Sequence, residues 1–160
     1  MQLSTFKILG ETLAIPALMV EEFFRPMPVT RVFGADRRID GLVNIRGRTA
    51  VVINMRECMC VKPREKDESS EMILLETMNG LVSEARELGL YAFDEPVVLS
   101  VDSISHIHYL DRDEIHPPPA HIKQPFVDGV VQTESNYFTM ISIRKLIDEL
   151  LHNQAEGSKS

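Results

Sequence analysis

The sequence predicts an all-β protein with minor α. Three observations carry this. Apolar residues gather mostly in short runs with extended-chain patterning, turn signals separate those runs at short intervals, and helical spacing occurs in only two places. Near the N-terminus Thr5, Lys7 and Leu9 alternate with Phe6 and Ile8, and Gly10-Glu11 supplies a turn. Leu13 to Val20 resumes an extended apolar run, since Pro16 would remove a donor from any helix interior. Arg25-Pro26-Met27-Pro28 is excluded from helix because each proline restricts the residue before it. The clearest hairpin joins Gly41–Ile45 to Thr49–Met55 around Arg46-Gly47-Arg48, with Gly47 free to take a positive φ.

Lys62 to Glu71 alternates charge and holds Pro63 and two serines, which reads as an exposed loop. Met72–Glu76 follows as a buried strand. Leu81, Val82, Ala85, Leu88 and Leu90 then recur near helical spacing, so a short amphipathic helix is expected over Asn79–Leu88 with Gly89 as its stop. Strands return at Pro96–Val101 and Ile104–Leu110, and Pro117-Pro118-Pro119 makes an extended connector. Phe126–Thr133 and Tyr137–Ile143 form another hairpin. Ile143, Leu146, Ile147, Leu150 and Leu151 make a terminal helical stripe, and His152 to Ser160 is a polar tail expected to fray. The sum is about eight or nine short strands and two helices, a pattern that favours barrels or sandwiches over a parallel sheet.

Composition limits the function. The chain has 160 residues, 44% hydrophobic and 26% charged, enough for one domain or two small packed halves. Seventeen Lys plus Arg against 24 Asp plus Glu leave −7, which argues against nucleic acid and anionic lipid as partners. No early apolar run reaches the roughly 20 residues of a membrane span, and no cationic segment marks a signal peptide. Cys58 and Cys60 are too close for an unstrained disulfide, and on a strand they would share a face; a reduced, cytoplasmic setting is expected.

Catalytic patterns are weak. The eight glycines show neither dinucleotide nor phosphate-loop spacing, and no strained serine elbow occurs. Glu21-Glu22 and Asp94-Glu95 are adjacent acids that point apart on a strand, so they read as solvated faces. His106-x-His108 is the one metal-like spacing, which a barrel enzyme could use, but His116, His121 and the Cys58-x-Cys60 pair lie elsewhere and no third ligand stands at a supporting spacing. No catalytic residue, cofactor or metal is assigned.

The most specific signal is an ordered set of motifs. Asp40-Gly41-Leu42-Val43-Asn44-Ile45-Arg46-Gly47, then Val51 to Arg56, resembles the signature hairpin of the CheW-like chemotaxis coupling proteins. Ile15 to Val20 with Glu22 and Phe23, and Val29 to Val32, look like the family's preceding segment. Val101-Asp102-Ser103-Ile104, Ile115 to Pro119, Phe126 to Val130 and the Ile143–Leu150 stripe are similar to its second half. The resemblance covers most of residues 5 to 151.

It implies one domain over 1–160 made of two intertwined five-stranded SH3-like barrels, with a charged loop at 62–71, an inserted helical segment at 77–95 and a flexible tail at 152–160. It implies a non-enzymatic cytoplasmic adaptor linking the cytoplasmic domain of methyl-accepting receptors to the regulatory domain of the CheA histidine kinase, held at receptor arrays by protein contacts. An adaptor of a non-chemotactic motility or developmental pathway would carry the same motifs. Arg46, Val20, Glu22, Asn44 and Gly47 match positions near the family's partner surfaces. The structural alternative for Asn44 and Gly47 is shaping the turn, and for Arg46 holding the two barrels together through its fork of donors. The chain departs from the family at Val51 and Asn54, at Phe33-Gly34-Ala35-Asp36, and in the 77–95 insert, whose Leu81, Val82 and Leu88 would form an added docking surface if exposed.

Overall fold

The computed structural model describes residues 1–63, 65, 70–90, 92–122 and 124–158, the last eight as backbone alone. Arg64 and Lys66–Ser69 of the expected charged loop therefore lie outside the described residues. Eleven strands occur in order: β1 (Gln2–Ile8), β2 (Glu11–Pro16), β3 (Val20–Phe24), β4 (Ile39–Ile45), β5 (Arg48–Asn54), β6 (Glu71–Leu75), β7 (Val97–Val101), β8 (Ser103–Tyr109), β9 (Ile115–His116), β10 (Val127–Gln132) and β11 (Tyr137–Ile141). Helices α1 (Met55–Cys58), α2 (Ser83–Glu87) and α3 (Ile143–Ser158) complete the chain.

The strands form two mixed sheets. One has the order β3-β6-β7-β5-β4; the other, β8-β1-β2-β11-β10-β9, has a sixth strand because the two-residue β9 pairs with β10. Each sheet contains one parallel pair, β5 with β7 and β2 with β11, amid antiparallel neighbours. The five-stranded unit is built from consecutive strands, whereas the six-stranded one takes β1–β2 from the start of the chain and β8–β11 from its end. The first barrel is thus an insertion into the second.

Period-two alternation explains how such short strands build a core. Along β2, Leu13 and Ile15 join one apolar cluster while Ala14 joins another. Along β6 and β7, Ile73, Leu75, Val97, Leu99 and Val101 face that first cluster, while Met72, Leu74 and Val98 face a third. Each barrel therefore has its own small interior, and the outer faces of both meet in a larger shared core with Phe6, Met55, Phe126 and Leu146. Strand β7 is buried along its whole length because it has apolar neighbours on both sides.

Several elements differ from expectation for local reasons. Leu13–Val20 is not one strand: β2 stops at Pro16, a 3-10 turn spans Ala17–Met19, and β3 begins at Val20, so the break carries the chain from one sheet to the other. The β5 run ends in α1, capped by the Asn54 side chain, which accepts the Glu57 N–H at 3.2 Å. That helix separates the cysteines. Cys58 is buried and Cys60, at φ +56, is exposed, so they do not share a face. Helix α2 has five residues rather than ten; Leu81, Ala85 and Ala92 enter the shared core while Val82 and Leu88 stay exposed. Helix α3 runs on to Ser158, through most of the segment expected to fray.

Candidate partner-binding surface

In the five-stranded sheet β3 and β4 are opposite edges, and the turn that follows β4 reaches across to β3. The register pairs Ile45 with Arg48, which leaves Arg46-Gly47 as a two-residue turn with φ of +52 and +82. Positive φ at both central positions is the mirror-image turn whose twist suits a hairpin. Glycine adopts it freely, whereas arginine at that φ costs on the order of 1 kcal/mol. The Asn44 side-chain oxygen steadies the turn by accepting the Gly47 N–H at 2.9 Å.

This conformation directs the Arg46 guanidinium across the seam, where it donates to the Glu22 carboxylate and lies 5.7 Å above the Phe24 ring. A second pair, Arg48 with Glu21 at 3.5 Å, crosses beside it. A register shift between Val20 and Glu22 in the β3–β6 pairing sets the two acids on adjacent parts of the strand. The pairs therefore tie the β4–β5 hairpin, through its turn residue Arg46 and through Arg48 at the start of β5, to the edge strand β3. Arg46 joins the hairpin turn to β3 within one barrel; it does not hold the two barrels to each other. Both its side chain and that of Glu22 are well exposed, at 63% and 41%, so the pair is worth no more than about 1 kcal/mol of stability. Glu76 feels the second pair instead: its carboxyl is raised, chiefly by burial and then by Glu21, with Arg48 opposing. The structure thus gathers Arg46, Glu22, Asn44 and Gly47 at one end of the barrel. Val20 shares β3 with Glu22 but is half-buried against the shared core. Phe23, on the same edge strand, is exposed.

Arg56, which sequence reading left without a role, makes a buried polar link between the barrels. Its Nε and Nη2 donate to the two oxygens of Asp102, both at 2.7 Å, and Nη1 donates to the Lys62 carbonyl at 3.3 Å. Asp102 stands between β7 and β8, at the passage from one sheet to the other. Its carboxylate also accepts the Leu9 N–H at 2.7 Å, and its own N–H donates to the Lys7 carbonyl at 3.1 Å. Arg56 is 4% exposed, so this fork is buried between the barrels. A related network secures α3. Arg38 donates to both oxygens of Asp36 at 2.9 Å and to Glu149 at 3.1 Å. These bonds hold the Asp36 carboxyl below its usual range against the opposing effect of burial.

His106 and His108 share a face of β8 with ring centroids 6.4 Å apart, and His108 packs on Phe138 at 4.6 Å. Among the described residues no three His, Cys, Asp or Glu side chains gather at metal-binding distance, so the His106/His108 enzyme reading has no third ligand to rest on.

The fold has solved counterparts. The scaffolding protein TtCheW from Thermoanaerobacter tengcongensis superposes with a TM-score of 0.73 at 22% sequence identity, covering 89% of this chain and 88% of that one. No curated protein sequence matches the chain. The model of the CheW-like domain matches residues 2–151, across both barrels and into α3. A chain so matched over nearly its whole length, with two nested mixed sheets and the motif hairpin at the seam of one of them, belongs to the CheW-like domain family, a family of scaffolding adaptors rather than enzymes.

Proposed function

We propose that this chain is a cytoplasmic adaptor that couples methyl-accepting chemoreceptors to a CheA-type histidine kinase in chemotaxis, at receptor arrays on the inner face of the membrane. The observation that carries the reading is the exposed Arg46–Glu22 seam. A strained turn presents charged side chains that contribute little to stability, on a rigid β scaffold, which is what a recognition surface requires. Val20 and Phe23 supply apolar contact beside it, and Asn44 and Gly47 fix the turn that aims Arg46. An adaptor needs no reactive group: holding two partners at once raises their effective concentration and biases the kinase between its states. Among the described residues no helix is long and apolar enough to cross a membrane, so placement at arrays would come through protein contacts.

The test is a pull-down of purified chain with a receptor cytoplasmic fragment and the kinase, at micromolar concentration, comparing wild type with Arg46→Ala. The variant keeps its circular dichroism spectrum and loses roughly tenfold in ternary assembly, about 1.4 kcal/mol. Absence of binding to either partner by the wild type refutes the adaptor role, and an unfolded Arg46→Ala refutes the site.

A further inference from the structure

The β3–β4 connection carries a feature the adaptor reading does not use. Val32 to Ala35 form a tight turn, in which the Ala35 N–H donates to the Val32 carbonyl at 3.3 Å and Gly34 takes φ +81. Phe33 occupies the tip and is fully exposed, at 105% of its reference area. The base of the loop is secured, since Arg38 bonds Asp36 and Glu149. The turn thus carries a bulky apolar side chain out into water.

Directly beside it the same loop walls an apolar groove of about 360 Å³, large enough for an aromatic ring. Val32 and Ala35 line it together with Leu42, Val51, Ile147 and Leu150, and exposed Glu95 stands at its rim next to exposed Asp94. Phe33 does not enter its own groove: its chain neighbours form the wall and the turn carries it outward. We infer that the groove's occupant is Phe33 of a second copy of this chain, exchanged reciprocally about a two-fold axis.

A knob next to a hole is self-complementary under such an axis, because one rotation seats both knobs. The charges agree. Exposed Arg31 and Arg37 flank Phe33, Arg37 also pairing loosely with Glu57 of its own chain at 3.7 Å, and Asp94 and Glu95 flank the groove, so each cationic knob meets the partner's acidic rim. A chain of net −7 repels its own copy on average, and this pairing of opposite charges works against that repulsion. Two seated phenylalanines with their Val32 neighbours cover less than a standard interface of roughly 1,600 Å², so the dimer is weak and concentration-dependent.

Sedimentation velocity of the full chain across a range of about 5 to 500 μM tests this without any partner, so its outcome is separate from that of the adaptor reading. The expected result is a rise from the 18.1-kDa monomer toward twice that mass. Phe33→Ser, at a fully exposed side chain, keeps the fold and weakens association at least tenfold. Glu95→Arg and Arg37→Glu each weaken it alone and restore it when the two variants are mixed, because the mixed pair repairs both contacts. A chain that stays monomeric throughout overturns the proposal, as does a dimer indifferent to Phe33→Ser. A monomeric wild type whose binding to receptor fragment or kinase is lost in Phe33→Ser assigns the groove to that partner and overturns it too.

Discussion

Arg56→Met tests what holds the two barrels together. The substitution keeps most of the side chain's apolar volume and deletes two 2.7 Å charge-assisted bonds to Asp102. Asp102, 16% exposed, then keeps its bond from the Leu9 N–H but has lost the bidentate cation facing it. Breaking a buried pair from one side costs about 3–5 kcal/mol, against a total stability on the order of 5–15 kcal/mol for a domain. With a urea slope of roughly 2 kcal/mol/M, the midpoint of unfolding should fall by about 2 M. The double variant Arg56→Met/Asp102→Leu removes both charges and should be more stable than Arg56→Met alone, since an apolar pair leaves no stranded carboxylate. A midpoint shift below about 0.5 M for Arg56→Met, or a double variant weaker than the single by the full cost of a second loss, would refute the assignment of Arg56 as the buried tie.

Two further predictions concern titration and reactivity. The Asp36 carboxyl is held low chiefly by its side-chain bonds with Arg38, so its contribution is present above its unfolded value near about 4 and is lost as pH falls through the lower folded value. Asp36→Asn should therefore flatten the acid limb of the stability–pH curve, and an unchanged limb would contradict that contribution. Burial pushes the Cys58 thiol up to about 12, whereas Cys60 is exposed. A chromogenic disulfide reagent at mildly alkaline pH should titrate one thiol in the native protein and both after denaturation; two fast thiols in the native state would show that Cys58 is accessible.

Period-two patterning made β1 legible, whereas β7 read only as a short apolar run, because both of its faces meet apolar clusters and no polar face is left to alternate. The Arg46-Gly47 turn was legible from Gly47 and the flanking runs, though the positive φ of Arg46 was not, since arginine signals no such preference. Helix α1 carried a signal in Asn54 and Glu57, a cap residue followed three positions later by an acid, hidden because it directly continues a strand. The length of α2 was misjudged because Val82 and Leu88 have helical spacing without burial. The Arg56–Asp102 pair could not be read from spacing: 46 residues separate the partners, and only folding brings them together. Likewise nothing local says that Glu22 meets Arg46, because only folding brings the hairpin turn to β3.

The nesting of one barrel inside the other has a consequence for synthesis. Everything the five-stranded barrel needs, from β3 to β7, emerges in one continuous stretch, so it can close while the chain is still being made. The other barrel cannot. Strand β2 pairs with β11, about 125 residues later, so at ribosomal speeds of roughly 5–20 residues per second the first hairpin waits roughly 6–25 s for its neighbour. During that interval Leu13 and Ile15 are covered only by whatever the finished barrel offers them. The shared core then acts as a holding surface for the unfinished half, and a nascent chain stalled before Tyr137 should present an open edge at β2 on an otherwise folded body.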